Sequence, residues 1–204
     1  MNRRTLDLLF SVGGLLLAGL LLILGLVLQN QANFAKNYVH DQLSAQQITF
    51  TPADKLAQAE KDEPGAQCLQ TYAGQQLTSG AQAECYANKY IALHLSEIND
   101  GKTYSQTSND QRVAQTAATA AKTAGSADAA SLQATADALN AKVQTLFRGE
   151  TLRGLLLTSY GFSIFGERAG QAAMVSFAAA IVLVLASIAG FVHAASARKR
   201  DAAA

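Results

Sequence analysis

The sequence has little of what catalytic sites usually require. It contains three histidines and two cysteines, and it has no H-E-x-x-H, no G-x-S-x-G and no Walker-type loop. Its net charge is +1, and the basic residues do not gather on one face as they do in nucleic-acid-binding proteins. The missing motifs argue against the common hydrolase classes. The dispersed charge predicts that the protein does not bind nucleic acid.

Large aliphatic residues are also scarce in the middle of the chain, which is rich in Ala, Gln, Ser and Thr. Alanine favours helices because it loses no side-chain entropy when a helix forms. No alternating strand pattern recurs, and Gln47 to Thr51 is the one plausible extended piece. We therefore predict an all-α fold.

Two long apolar blocks flank this middle segment. Leu8 to Leu28 contains no charged residue, and no charge interrupts Ala169 to Ala197. A helix that crosses a hydrocarbon core of ~30 Å needs about 20 such residues. The sequence predicts transmembrane helices at 8–28 and 172–194. A cleaved signal peptide is the alternative for the first block, but its apolar run exceeds the usual ~7–15 residues and no A-x-A site follows it.

Positive charges next to the two blocks predict their orientation. Arg3 and Arg4 precede the first block, and Arg198, Lys199 and Arg200 follow the second. We expect a multi-pass plasma-membrane protein with cytoplasmic residues 1–7, a basic cytoplasmic tail at 195–204, and an extracytoplasmic helical domain at 29–171.

The two cysteines, Cys68 and Cys85, both fall in the segment placed outside. A structural disulfide fits an oxidising compartment and would stabilise the domain by about 3 kcal/mol in the chain-entropy model. A redox-active pair or a zinc site is the alternative, but the C-x-x-C spacing and further zinc ligands are lacking.

Helix signals divide the outer segment. The first transmembrane helix should continue through Phe34 and Tyr38, and a helix should start at Thr51-Pro52-Ala53-Asp54. Pro64-Gly65 marks a turn. Further helices are predicted at 80–99, at 109–122 and at 132–147, with Ser79 as an N-cap and with Gly101 and Gly149 as terminators. The low-complexity stretch around Gly125 is expected to be mobile.

Candidate functional side chains are few. His40, His94 and Glu97 could formally supply a two-histidine, one-carboxylate iron site, but we interpret them as a juxtamembrane histidine and an ion pair on a helix surface. His193 lies at the cytoplasmic end of the second block. No catalytic residue, metal site or cofactor is predicted.

Arg148 and Arg153 flank Gly149 near the predicted outer membrane surface. They are candidates for contact with an anion or a lipid headgroup, with ordinary interfacial charges as the alternative.

Small residues recur at four-residue spacing in both blocks, at Gly14–Ala18 and at Ala186–Gly190–Ala194. This spacing allows helices to approach closely, either between the two blocks or between copies.

Several stretches resemble a family of small actinobacterial two-span membrane proteins. They are MNRRTLDL, YAGQQLTSGAQAECYANKYIALHL, GKTYSQTS and FRGETLRGLLLTSYGFS. The resemblance implies an envelope protein with an extracytoplasmic domain and no established activity. Some members are labelled aromatic ring-opening dioxygenases, and this sequence departs from that chemistry because it lacks a convincing iron-binding constellation.

The leading functional hypothesis is a non-enzymatic envelope protein in contact with the lipid bilayer. Its outer helices would bind a protein partner or a second copy, as in an accessory subunit of a larger membrane complex. The alternatives are a sensor module that signals through a partner and, less favoured, a metal-dependent ring-opening dioxygenase.

Overall fold

The computed structural model describes residues 3–201, and for 197–201 the backbone only. Met1, Asn2 and residues 202–204 of the predicted cytoplasmic ends lie outside the described residues, as do the side chains of Arg198, Lys199 and Arg200. Over the described range the fold is helical without a strand, which confirms the all-α prediction. The helices are α1 (Arg3–Ala45), α2 (Gln58–Asp62), α3 (Gln67–Thr71), α4 (Gly80–Cys85), a π-helix (Tyr86–Ile91), α5 (Ala92–Ser96), a 3₁₀ turn (Ile98–Gly101), α6 (Tyr104–Thr123) and α7 (Ala129–Asp201).

The chain forms two compact units. The span unit contains the chain up to Tyr38 and from Ser163 onwards, and the core unit contains Val39 to Phe162. Helices α1 and α7 contribute residues to both. The predicted continuation of the first helix past the apolar block is confirmed, because α1 ends at Ala45.

The prediction that a helix starts at Thr51 is wrong. Residues 52–55 form a turn in which the Lys55 N–H donates to the Pro52 carbonyl at 2.9 Å. The helix begins at Gln58 instead, because the Glu60 carboxylate accepts the Ala57 N–H at 2.7 Å and so supplies the N-terminal cap. Just before this turn, Thr49 forms an isolated bridge with Gln76, so the extended piece predicted over 47–51 is present in part. Gln47 is left-handed instead, with a φ of 54°.

The helix predicted over 80–99 is present in part. Ser79 caps it as expected, accepting the Gln82 N–H. Ala83, Ala87, Ile91 and Leu95 are buried along one side of this segment. However, the segment changes from α to π geometry at Tyr86, and α5 ends at Ser96.

The chain leaves this segment through three successive left-handed residues. Asn99, Asp100 and Gly101 have φ values of 53°, 58° and 74°. Left-handed geometry is disfavoured for residues with a side chain, and Asn and Asp tolerate it better than most. Gly101 therefore lies in the terminating turn, as predicted.

The helix predicted over 109–122 is confirmed as part of α6, which starts earlier, with Thr103 as its N-cap. Only residues 124–128 separate α6 from α7, in a tight turn where Gly125 has a φ of 65°. The low-complexity stretch around Gly125 therefore forms the turn between these two helices, and its mobility stays a prediction.

Gly149 does not end a helix, contrary to the sequence prediction. α7 runs through it without a break. The structure gives this glycine another role, because a Cβ at position 149 would overlap the side chain of Leu95. The missing side chain leaves room for Leu95, which is buried in the core unit.

The hydrophobic centre of the core unit includes Phe50, Leu69, Leu77 and Leu146, each no more than 2% exposed. The ring of Phe50 packs edge-on against Tyr86, with 5.2 Å between the centroids. The predicted disulfide is present between Cys68 of α3 and Cys85 of α4, whose Cα atoms are 6.1 Å apart. It ties the two short helices together at the edge of this core.

We predict that leucine at position 149 destabilises the core unit, whereas leucine at position 154 does not. The Gly149→Leu side chain must displace Leu95 from a packed core, which should cost about 1–3 kcal/mol. Gly154 is the matched control, since it lies in α7 and a Cβ there would have no neighbour within 4 Å. Gly154→Leu should be neutral or gain about 0.5–1 kcal/mol from helix propensity. Thermal unfolding followed by circular dichroism in detergent checks this, and equal melting temperatures for the two variants would contradict the packing role of Gly149.

Candidate functional site

The outward surface of the span unit is apolar over a limited stretch of each helix. Large aliphatic residues are exposed on α1 between Leu8 and Val27 and on α7 between Met174 and Val192. In each helix only 17% of the most apolar 18-residue window is buried inside the protein. The core helix of a soluble protein would be mostly buried, so this surface favours a hydrocarbon environment.

Glycines set the contact between α1 and α7 within the span unit. A Cβ on Gly14 would overlap the hydroxyl of Ser187, and a Cβ on Gly190 would overlap the hydroxyl of Ser11. Each helix therefore places a serine against a glycine of the other. Because residue numbers rise along one helix as they fall along the other, the two helices are antiparallel.

Further glycines lie in the contact between the two helices. A Cβ on Gly25 would overlap the ring of Phe177, and a Cβ on Gly166 would approach the Cβ of Ala35 to 2.7 Å. Glycines on both helices thus leave room for the partner helix along the contact, and the Phe177 ring occupies the space over Gly25. Small residues at such positions are expected for helices that pack in lipid.

The buried positions of α7 repeat every seven residues. Ala173, Ala180, Ser187 and Ala194 are each at most 3% exposed. A seven-residue repeat is typical of helices that wrap around each other in a left-handed sense. Of the predicted Ala186–Gly190–Ala194 pattern, Gly190 packs against Ser11 of α1 and Ala194 is buried, whereas Ala186 is exposed. A role for small residues between copies stays a prediction.

An ion pair closes one end of this helical hairpin. The Nδ1 of His193 lies 2.8 Å from Oδ2 of Asp7. The sequence analysis did not find this pair, because the two residues are far apart in the chain. The antiparallel register of α1 and α7 brings them together.

In the core unit, an aromatic row follows the π-helix. The ring centroids of Tyr86 and Tyr90 are 4.7 Å apart, and those of Tyr90 and His94 are 4.4 Å apart. Single π-helical turns are rare and often occur at functional sites. The π-helix and this row make the segment from Tyr86 to His94 the most distinctive feature of the core unit.

A buried carboxylate lies beside the row. Glu60 is 4% exposed, and its Oε1 atom is 3.7 Å from Nε2 of His94. Burial, the neighbouring Tyr90 and the charge of Glu60 raise the pKa of Tyr86 to about 12, so this phenol is neutral at physiological pH. Glu60 was not singled out in the sequence, where it is one acidic residue in a polar stretch.

The structure does not assemble the formal His40, His94 and Glu97 set. Within residues 3–196, whose side chains the structure describes, no group of three or more His, Cys, Asp or Glu side chains is arranged to hold a metal ion. His94 has Glu60 as its acidic neighbour rather than Glu97, which corrects the predicted ion pair. The helix bearing Glu60 packs beside His94 in space, and helical spacing alone cannot reveal that.

The two arginines near Gly149 have different surroundings. The Arg153 guanidinium donates to the side chains of Glu150 and Asn88, at 3.3 and 3.2 Å, and so connects α7 to the π-helix. Arg148 is exposed. The two arginines are five positions apart in α7, so they lie on different faces of the helix. They therefore do not form one joint anion site. Contact of either with a lipid headgroup stays a prediction.

Comparisons with protein-family models, with curated proteins and with solved structures find no match for this chain.

We predict that the contact between the apolar helices depends on Gly14. Leucine at this position cannot fit against Ser187, so Gly14→Leu should destabilise the hairpin by about 1–3 kcal/mol. Gly13→Leu is the matched control, because a Cβ at this adjacent position on α1 would have nothing within 4 Å. Thermal stability in detergent, measured as the fraction that stays monodisperse on size-exclusion chromatography after heating, checks this. Equal loss in both variants would contradict the proposed contact.

Proposed function

We propose that this chain is an integral membrane protein of the cell envelope, whose core unit forms an extracytoplasmic interaction domain. The exposed apolar surface of the antiparallel hairpin supports membrane insertion most directly. The exposed aliphatic side chains of the span unit run from Leu8 to Val27 on α1 and from Met174 to Val192 on α7. Each stretch is about 20 residues long, which matches the thickness of a hydrocarbon core.

The charge distribution supports the orientation. Arg3 and Arg4 lie at the end of α1 that is close to the end of α7, where the ion pair of Asp7 and His193 joins the two helices. Arg198, Lys199 and Arg200 follow on α7. Five basic residues thus belong to one end of the hairpin, and positive residues near helix ends favour the cytoplasmic side.

The disulfide supports the same orientation independently. Cys68 and Cys85 belong to the core unit, and disulfides persist in oxidising compartments outside the cytoplasm. The core unit would then lie on the oxidising side.

We further propose that the core unit acts by binding another protein rather than by catalysis. Of the side chains that draw attention in the sequence, Arg153 is engaged within the fold by Asn88, and His94 by the carbonyl oxygen of Tyr90. An accessory subunit of a membrane complex fits a small anchored domain of this kind.

Cysteine labelling in intact cells tests the orientation. The native cysteines are paired and should not react with a membrane-impermeant maleimide until a reductant is added. A cysteine introduced by Ala134→Cys, on an exposed position of α7, should be labelled without reductant. Its matched control is Thr5→Cys, at an exposed position near the start of α1, which should be labelled only after lysis. Labelling of Thr5→Cys in intact cells would overturn the proposed orientation.

Purification from native membranes tests the interaction role. We expect the tagged chain, extracted in a mild detergent, to retain a second protein in a fixed ratio by native mass spectrometry. A two-span protein with the same tag and an unrelated outer domain serves as the control. Recovery of this chain alone, at the mass of a single copy, would contradict the role of an accessory subunit.

A further inference from the structure

A neighbouring backbone carbonyl determines which ring nitrogen of His94 carries the hydrogen. Its Nδ1 lies 2.8 Å from the carbonyl oxygen of Tyr90. A carbonyl oxygen only accepts hydrogen bonds, so Nδ1 must carry the hydrogen. In the neutral ring, Nε2 is then left with a lone pair.

A carboxylate oxygen lies near that nitrogen. Oε1 of Glu60 is 3.7 Å from Nε2, and the other oxygen, Oε2, is already held by the Ala57 N–H at 2.7 Å. Two electron-pair donors at this separation repel unless a positive species lies between them. Either a proton on His94 or a metal ion could join them.

The separation favours the metal ion. An N–H···O hydrogen bond spans about 2.7–3.2 Å, so a shared proton should draw the two groups closer than the observed 3.7 Å. The pair of Asp7 and His193 in this chain does so, at 2.8 Å. Two ligands bound at about 2.1 Å to one tetrahedral ion are about 3.4 Å apart, which is close to the observed distance.

We propose that His94 Nε2 and Glu60 Oε1 bind a divalent transition-metal ion of the zinc class. Imidazole and carboxylate together suit Zn²⁺ better than Mg²⁺ or Ca²⁺, which prefer oxygen ligands alone. The hydrogen bond from Nδ1 to a backbone carbonyl is the arrangement that usually orients a metal-binding histidine.

The surroundings allow an ion to enter and be held. The His94 side chain is 46% exposed, whereas that of Glu60 is 6% exposed. The ion would therefore approach from solvent and meet a carboxylate fixed in place by its cap. Because the described residues supply two ligands here, the other positions belong to water or to a side chain of another protein.

Titration of the full-length chain in detergent with Zn²⁺ tests the site, using a purification tag without histidine and a competing fluorescent chelator. We expect one ion per chain, with a Kd between about 1 µM and 1 mM, because two protein ligands hold zinc more weakly than the four of a structural site. His94→Gln and Glu60→Gln should each weaken binding at least about tenfold. Glutamine at position 60 keeps an oxygen that can accept the Ala57 N–H, and unchanged circular dichroism would show that α2 is intact.

Two matched controls locate the ion. Glu97→Gln removes the carboxylate that sequence spacing places near His94, and His193→Gln removes the other histidine that lies beside an acidic residue. Both should leave the affinity unchanged. The proposal is overturned if wild type binds no Zn²⁺ up to about 1 mM, as expected when a proton alone joins the pair. Full binding in His94→Gln or Glu60→Gln, or loss of binding in either control, would also overturn it.

Discussion

The close approach of α1 and α7 in the span unit is the constraint on which the apolar part of the structure depends. In hydrocarbon there is no hydrophobic force to hold two helices together, so van der Waals contact between close backbones has to do so. Ser11 against Gly190 and Ser187 against Gly14 make that approach possible. A large side chain at either glycine would separate the helices along this contact, because it would extend beyond the space that a rotated serine hydroxyl could free.

Glycine has the same function in the core unit, in a different setting. Gly149 leaves the space that the Leu95 side chain occupies, and α7 continues through it. Glycine inside a helix has an entropic cost of about 1 kcal/mol relative to alanine. Its presence at such a position therefore reflects what packs against it, whereas Gly101 and Gly125, with positive φ, mark turns.

Glu60 connects local folding with the candidate site. One of its oxygens begins α2 by accepting the Ala57 N–H, and the other faces His94. A residue needed for a helix cap is held rigidly, which favours a fixed position for the second oxygen. This double role explains how a short helix of five residues can position a buried charge beside the aromatic row of Tyr86 and Tyr90.

The sequence by itself determined the helical fold, the two apolar helices, the pairing of the cysteines and the cap at Ser79. The helices depend on composition, and the cap depends on residues within a few positions of each other, whose hydrogen bonds follow from spacing alone. The pairing follows because the sequence has two cysteines. The tertiary structure decided where distant segments meet. It set Glu60 beside His94 and Asp7 beside His193, and it made Gly149 a packing position. Such contacts depend on the register in which helices pack, and helical periodicity identifies the face that is buried without naming the residue that covers it.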